Sequence, residues 1–304
     1  MRDGPDFADR PEPGLPIEIA PGLRRILAPN PSPMTHWGTN TYLLGEAEVA
    51  VIDPGPEDEA HLAALLEALG GARVSHILVT HAHRDHSPLA RRLSAATGAP
   101  VLGFGPATAG RTRVMEDLAR QGLVGGGEGV DHGFAPDVAL PDGAVIDGAE
   151  WRLVAHWTPG HFAGHLSFAW EGEVFTGDQV MGWASTMISP PDGDVTAFMA
   201  SCARLKTLGA QRFQPGHGAP VDDPGQRLDW LMRHRREREA QILAALGRTP
   251  IDLRTLTRRI YYDAPAALLP AAERNVLAHL VDLDARRLVR AIPAIGTKAR
   301  FVRT

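Results

Sequence analysis

The chain has 304 residues and a mass of 32.7 kDa, with 44% apolar residues, 22% charged residues and a formal charge of −5. This is globular composition and excludes disorder, while a mean hydropathy of −0.14 and the lack of an apolar run near about 18 residues exclude a membrane-spanning helix. Cys202 is the only cysteine, so neither an internal disulfide nor a thiolate metal cage can form. Residues 1–16 hold four prolines and lack the apolar core of a secretory leader, and a cytoplasmic location is expected.

The charge is unevenly placed. Residues 227–304 carry 16 Arg and Lys against 8 Asp and Glu, whereas residues 1–226 carry 15 against 28. Such a change of sign predicts a domain boundary, giving a catalytic part at 1–226 and a smaller part at 227–304. In chain order, residues 42–44 and 49–52 predict a hairpin. Residues 58–69 predict a helix with Leu62, Leu65, Leu66 and Leu69 at helical spacing. A buried strand at 76–80 and a helix at 88–97 follow. The glycine-rich stretch 125–129 predicts a mobile loop, within a longer segment, 104–137, that carries no motif. Strands at 153–156, 166–170 and 174–176 and a helix at 195–208 complete an α/β core. Beyond it, helices at 227–246, 253–260 and 274–288 precede two strands at 288–292 and 299–303, the outline of a winged helix.

Chemistry concentrates at strand ends. The run Thr80-His81-Ala82-His83-Arg84-Asp85-His86 directly follows an apolar strand and places three histidines and an aspartate in one loop. Imidazole and carboxylate are the ligands a cysteine-poor chain offers to zinc, iron or manganese. Thr158-Pro159-Gly160-His161, Thr176-Gly177-Asp178 and Pro215-Gly216-His217-Gly218 each follow a strand-like segment and set one ligand-type residue beside a glycine.

These motifs, in this order, resemble the metallo-β-lactamase-fold hydrolase superfamily, and Asp53 in Val51-Ile52-Asp53-Pro54-Gly55 resembles its early aspartate motif. The likeness covers about residues 35–220. It implies an α/β fold, the αββα sandwich, followed here by the small C-terminal winged-helix-like domain. It implies further that His81, His83 and His161 hold one metal, that Asp85, His86 and His217 hold a second, and that Asp178 bridges them. Asp53 is expected beside a ligand rather than on metal. The implied cofactor is a pair of Zn2+ ions, with iron or manganese as alternatives. The implied chemistry is attack by a metal-bridging hydroxide, with Asp85 as the catalytic residue that orients it or accepts its proton.

The segment 30–43, Asn-Pro-Ser-Pro-Met-Thr-His-Trp-Gly-Thr-Asn-Thr-Tyr-Leu, is similar to that of the lactamase-beta-2-like branch, as is the size of the tail. The step of 39 residues from Asp178 to His217 leaves no room for the inserted domain of a β-CASP nuclease. His36 and Trp37 are candidate substrate contacts. His165 is a candidate for lining the pocket or for a structural hydrogen bond. The expected substrate is a small ester, thioester or lactone. Single-stranded RNA cleavage is the alternative, since Arg neutralises phosphate, and iron-dependent persulfide dioxygenation is a third. No membrane partner is expected, and the sequence does not specify an oligomeric state.

Overall fold

The computed structural model describes residues 10–296 and 298–304. Its first sheet runs in the order of the chain: β1 (Ile17–Ala20), β2 (Leu23–Leu27), β3 (Asn40–Leu44) and β4 (Glu48–Ile52) form an antiparallel meander. Then β5 (Arg73–Leu78), β6 (Val101–Gly103) and β7 (Val138–Ala139) add in parallel. The parallel crossovers contain α1 (Glu59–Leu69), α2 (Leu89–Thr97) and α3 (Arg113–Arg120). The second sheet has the order β12-β11-β10-β9-β8, built from β8 (Val145–Asp147), β9 (Arg152–Trp157), β10 (Leu166–Trp170), β11 (Glu173–Gly177) and β12 (Arg212–Pro215). Outside it lie α4 (Val195–Thr207) and α5 (Pro224–Ala245).

The period-two alternation of strand residues decides this layering. Leu43, Val49 and Val51 face α1 and α2, which bury Leu62, Leu65, Leu89 and Leu93 against them. Tyr42, Leu44, Ala50 and Ile52 face the other way and meet Leu166, Phe168 and Phe175 of the second sheet. Val174 and Phe213 point outward from that sheet onto Phe198, Cys202 and Leu205 of α4. Strands apolar on both faces have to be covered on both, and an αββα sandwich is the result. Cys202 is fully buried there, and burial pushes its thiol up to about 12, so it is unreactive.

The C-terminal layer comprises β13 (Ile251–Asp252), α6 (Leu253–Ile260), α7 (Leu269–Ala285), β14 (Val289–Ile292) and β15 (Arg300–Arg303), with sheet order β13-β15-β14. Among the described residues, no helix is long and apolar enough to cross a membrane.

Three elements differ from the sequence expectation, each for a tertiary reason. The strand expected at 76–80 stops at Leu78, because Thr80 N–H turns away to the Asp53 carboxylate (2.7 Å). Residues 104–137 contain α3, whose Met115 and Leu118 pack against Leu256, Leu280 and Phe301 of the C-terminal layer. The change of charge sign at 227 does not coincide with a break in packing. Helix α5 starts at Pro224, sets Leu228, Leu231 and Met232 on the second sheet's outer layer, and carries Ile242 into the C-terminal core.

Candidate metal centre

The strand ends deliver the site to one edge of the paired sheets. Asp53 follows β4, the His81–His86 loop follows β5, His161 follows β9, Asp178 follows β11 and His217 follows β12. Two groups result. The ligand atoms of His81, His83, His161 and Asp178 lie within 4.8 Å of one another, and so do those of Asp85, His86, Asp178 and His217. All seven side chains are buried. Asp178 belongs to both groups.

Hydrogen bonding shows what these rings present to one another. His161 donates Nδ1–H to the Met187 carbonyl (2.8 Å), and His217 donates Nδ1–H to the Gly38 carbonyl (3.0 Å). His86 donates Nδ1–H to Asp53 Oδ2 (2.9 Å). His81 donates Nδ1–H to Thr80 Oγ1 (3.0 Å), whose own hydrogen goes to Asp53 Oδ2 (2.8 Å). All four rings therefore aim Nε2 inward, as a lone pair in His81 and His161, and in His86 and His217 as a position that gains its lone pair once its proton leaves. His83 Nδ1 lies 2.9 Å from His81 Nε2 and 3.0 Å from His161 Nε2. A single hydrogen on His83 Nδ1 can bridge one of those contacts and not both. Asp85 Oδ1 is buried with no hydrogen-bond partner. Convergent imidazole Nε2 atoms and an unsatisfied buried carboxylate oxygen are what divalent cations would complete, so the residues present fit a pair of such ions.

The two groups differ in protonation when no metal is bound. Burial holds His81 well below the ordinary imidazole value, brings His83 to about 3 and lowers His161. Burial opposes charge on His217 and His86 as well, but the carboxylates of Asp178 and Asp85 override it. His217 is pushed up to about 10 and His86 well above its ordinary value. The first group presents neutral imidazoles, while the second carries protons that a metal must displace.

The glycines of the motifs have steric roles. A Cβ on Gly160 (φ +152°) would stand 2.4 Å from Phe198 Cα, so only glycine lets α4 close on the His161 loop. A Cβ on Gly216 would stand 2.6 Å from both Asp178 Oδ1 and His86 Cε1. Gly216→Ala changes no ligand yet wedges a methyl between two of them. The expected result is weaker metal binding, with loss of one of the two ions these groups fit, and about a 10- to 100-fold fall in turnover, read by metal analysis alongside kinetics. Two ions held with unchanged turnover would show that the loop yields freely.

The other sequence candidates take distinct places. Asp53 is 2% exposed, holds Thr80 and His86 together, and stands outside both ligand groups. His36 is buried between Trp37 (4.9 Å between ring centroids) and Trp183 (4.7 Å), beside the Gly38 carbonyl that orients His217. His165 has no exposed surface; it stacks behind His81 (5.1 Å) and contacts Thr158 Oγ1 through Nδ1 (3.0 Å), rather than standing in the pocket wall.

A tight opening beside the first ligand group is lined by His83, Gly126, His161, Met187, Ser189 and Asp192. Sequence reasoning left Met187, Ser189 and Asp192 aside. Gly126 N–H donates to Ser189 Oγ (3.0 Å), and Asp192 pairs with Arg111 (2.5 Å), so the glycine-rich stretch forms a wall of this opening. A motif search cannot find a backbone carbonyl; the signal available was the polar Ser189 and Asp192 downstream of Asp178.

A two-sheet sandwich that gathers adjoining His and Asp groups at one edge, around a pocket, defines a metal-dependent hydrolase. Residues 34–254 match the metallo-beta-lactamase superfamily and residues 253–297 the beta-lactamase associated winged helix domain, and the chain belongs to that superfamily. A beta-lactamase-like protein 2 homolog of Caenorhabditis elegans is 32% identical over 271 residues, covering 86% of this chain and 84% of that protein. An atrochrysone carboxyl ACP thioesterase of Aspergillus fumigatus is 32% identical over 249 residues, covering 78% of this chain and 69% of that protein. Among solved structures, a metallo-beta-lactamase family protein of Thermus thermophilus superposes with a TM-score of 0.76 at 28% identity, covering 94% of this chain and 100% of that one.

Proposed function

We propose that this chain is a cytoplasmic two-zinc hydrolase of small acyl substrates, thioesters first among esters, thioesters and lactones. The observation that carries the reading is the pair of adjoining His/Asp groups that share Asp178 at one edge of the paired sheets, with His83 and His161 facing an opening. The thioesterase name of a relative 32% identical to this chain supports it.

When bound, divalent ions supply Lewis acidity and lower the pKa of a water to about 7. His81, His83 and His161 would hold one ion, Asp85, His86 and His217 the other, and Asp178 both. The chain's own groups do the rest. Thr80, Asp53 and the Met187 and Gly38 carbonyls hold the Nδ1–H of four imidazoles and so aim their Nε2 atoms inward before any ion arrives. Asp85 Oδ1 is a free buried acceptor for a water O–H. Neighbouring His86 and His217 hold its carboxyl below the usual range against the effect of burial, so it orients that water rather than keeping its proton. Hydrolysis then joins the water oxygen to the acyl carbon, breaks the C–S bond and releases acid and thiol.

Some of the arginines that suggested RNA are engaged within the molecule, whereas Arg233, Arg236, Arg258, Arg259, Arg287 and Arg290 are exposed. Arg227 donates to the Met181 carbonyl (2.7 Å), Arg235 is buried against Thr186 and Asn275, and Arg286 pairs with Glu239 and Asp282. The test is a panel of thioesters, lactones, a fluorescent single-stranded RNA and a persulfide with oxygen uptake, run on the zinc- and iron-loaded protein. Zinc-dependent thioester or lactone turnover is expected. RNA cleavage, or oxygen uptake, without acyl hydrolysis would overturn the proposal.

A further inference from the structure

The imidazole of His161 is oriented by the Met187 carbonyl, and the peptide units on both sides of Met187 are held from the C-terminal half of the chain. Thr186, fully buried, offers its carbonyl to Arg235 Nη2 of α5. Ile188, also fully buried, donates its N–H to Asn275 Oδ1 of α7 (3.2 Å). Arg235 Nη1 donates to that same Asn275 oxygen (3.1 Å), while Asn275 Nδ2 anchors to the Ala271 carbonyl (3.2 Å). One Arg–Asn pair thus grips residues 186 and 188 and leaves the carbonyl of 187 free for His161.

The arrangement has a cost that calls for a reason. Arg235 is 3% exposed, has no carboxylate partner among the described residues, and leaves its Nε without a hydrogen bond. Only neutral groups compensate it: the Thr186 carbonyl, Asn275 and the face of Phe198, 5.2 Å from the guanidinium. Burying an unpaired cation is unfavourable, and a methionine of similar length would fill the space without that cost. A guanidinium is nevertheless well suited to the geometry, since its fork reaches a carbonyl and a side-chain amide at once.

We propose that Arg235 and Asn275 are positioning residues for His161: acting through the Met187 carbonyl, they set the ring's tautomer and direction and thereby the metal affinity of the group His81, His83, His161 and Asp178. This rests on the reading of that group as a metal site. The C-terminal helices are then part of the centre's construction rather than an appended module.

Long-range 1H–15N NMR of histidine in the metal-free, full-length chain tests this directly, with the His161 signal assigned by its loss in His161→Gln. The unsubstituted protein should show His161 as the single Nδ1–H tautomer. Asn275→Ala and Arg235→Met should turn it into a mixture of tautomers while His86 and His217 stay unchanged. Calorimetric zinc titration should show about a 10- to 100-fold weaker first site and an unaltered second one. Asn275→Asp keeps the acceptor for Ile188 and Arg235 and should restore both signatures. A folded Asn275→Ala or Arg235→Met protein with wild-type His161 signals and zinc affinity overturns the proposal. Should both variants fail to fold, Asn275→Asp decides: a folded protein that has lost the single tautomer overturns it, and one that keeps it supports it. Failure of the metal-site reading shows separately, as absence of zinc uptake by the unsubstituted chain.

Discussion

Asp178→Asn is expected to weaken divalent-metal binding at both ligand groups and to lower turnover by about 10³-fold or more. Asp178 is the one side chain common to the two groups. Its Oδ2 stands 3.7 Å from His161 Nε2, and its Oδ1 stands 3.4 Å from His86 Nε2 and 3.3 Å from His217 Nε2. The amide preserves shape but removes the negative charge that faces both ligand groups, and it turns a donor N–H toward the space that metal ions would fill. Divalent ions in such sites contribute several kcal/mol to the transition state, and about 4 kcal/mol corresponds to roughly 10³-fold. Metal content by atomic emission and steady-state hydrolysis of whichever panel substrate is turned over measure the two effects on one sample. An Asp178→Asn protein that keeps two ions and its turnover would refute the shared-ligand assignment.

A chain ending at residue 226 loses its fold. Removing 227–304 takes Leu228, Leu231, Met232 and Ala278 off the outer layer formed by Val180, Phe198, Leu205 and Phe213. It also uncovers Met115, Leu118 and Leu123 around α3, which have their partners in α6, α7 and β15. Each large side chain so exposed costs about 1.5–3 kcal/mol. Several together reach on the order of 10 kcal/mol, comparable with the whole stability of a domain. Size-exclusion chromatography should show aggregation, and thermal unfolding should show no cooperative transition. A monomeric fragment melting within a few degrees of the full chain would contradict the shared core. Deletion is therefore a poor test of substrate capture by the C-terminal part, and substitutions on its exposed faces separate capture from folding.

The strands and helices that position the site were largely legible from local pattern. The expected helix at 253–260 coincides with α6, and the expected strand at 166–170 coincides with β10. Both have hydrophobic spacing that only one kind of element can bury, and α6 adds a capping residue, Asp252, whose carboxylate accepts from Thr255 N–H (2.9 Å). The ligand-type residues were legible for a related reason. A short run such as His81 to His86 after an apolar strand is a local feature, and its chemistry depends on residue type alone.

The groups that orient those ligands were not legible. His161 points where it does because of a carbonyl 26 residues away, and His217 because of one 179 residues away. Every residue has a carbonyl, so nothing in the sequence distinguishes those of Met187 and Gly38 from the rest. Helix α3 escaped notice in the same way. Its buried face is only Met115 and Leu118, and what makes the helix worth forming is the apolar surface of a layer more than a hundred residues later. The sequence alone thus determined which residue types stand at which strand ends, since alternation and turn chemistry act over a few residues. The tertiary structure decided which lone pairs converge and which helices close over them, because a hydrogen-bond acceptor or a covering surface acquires its role only from the distant group that the fold brings against it.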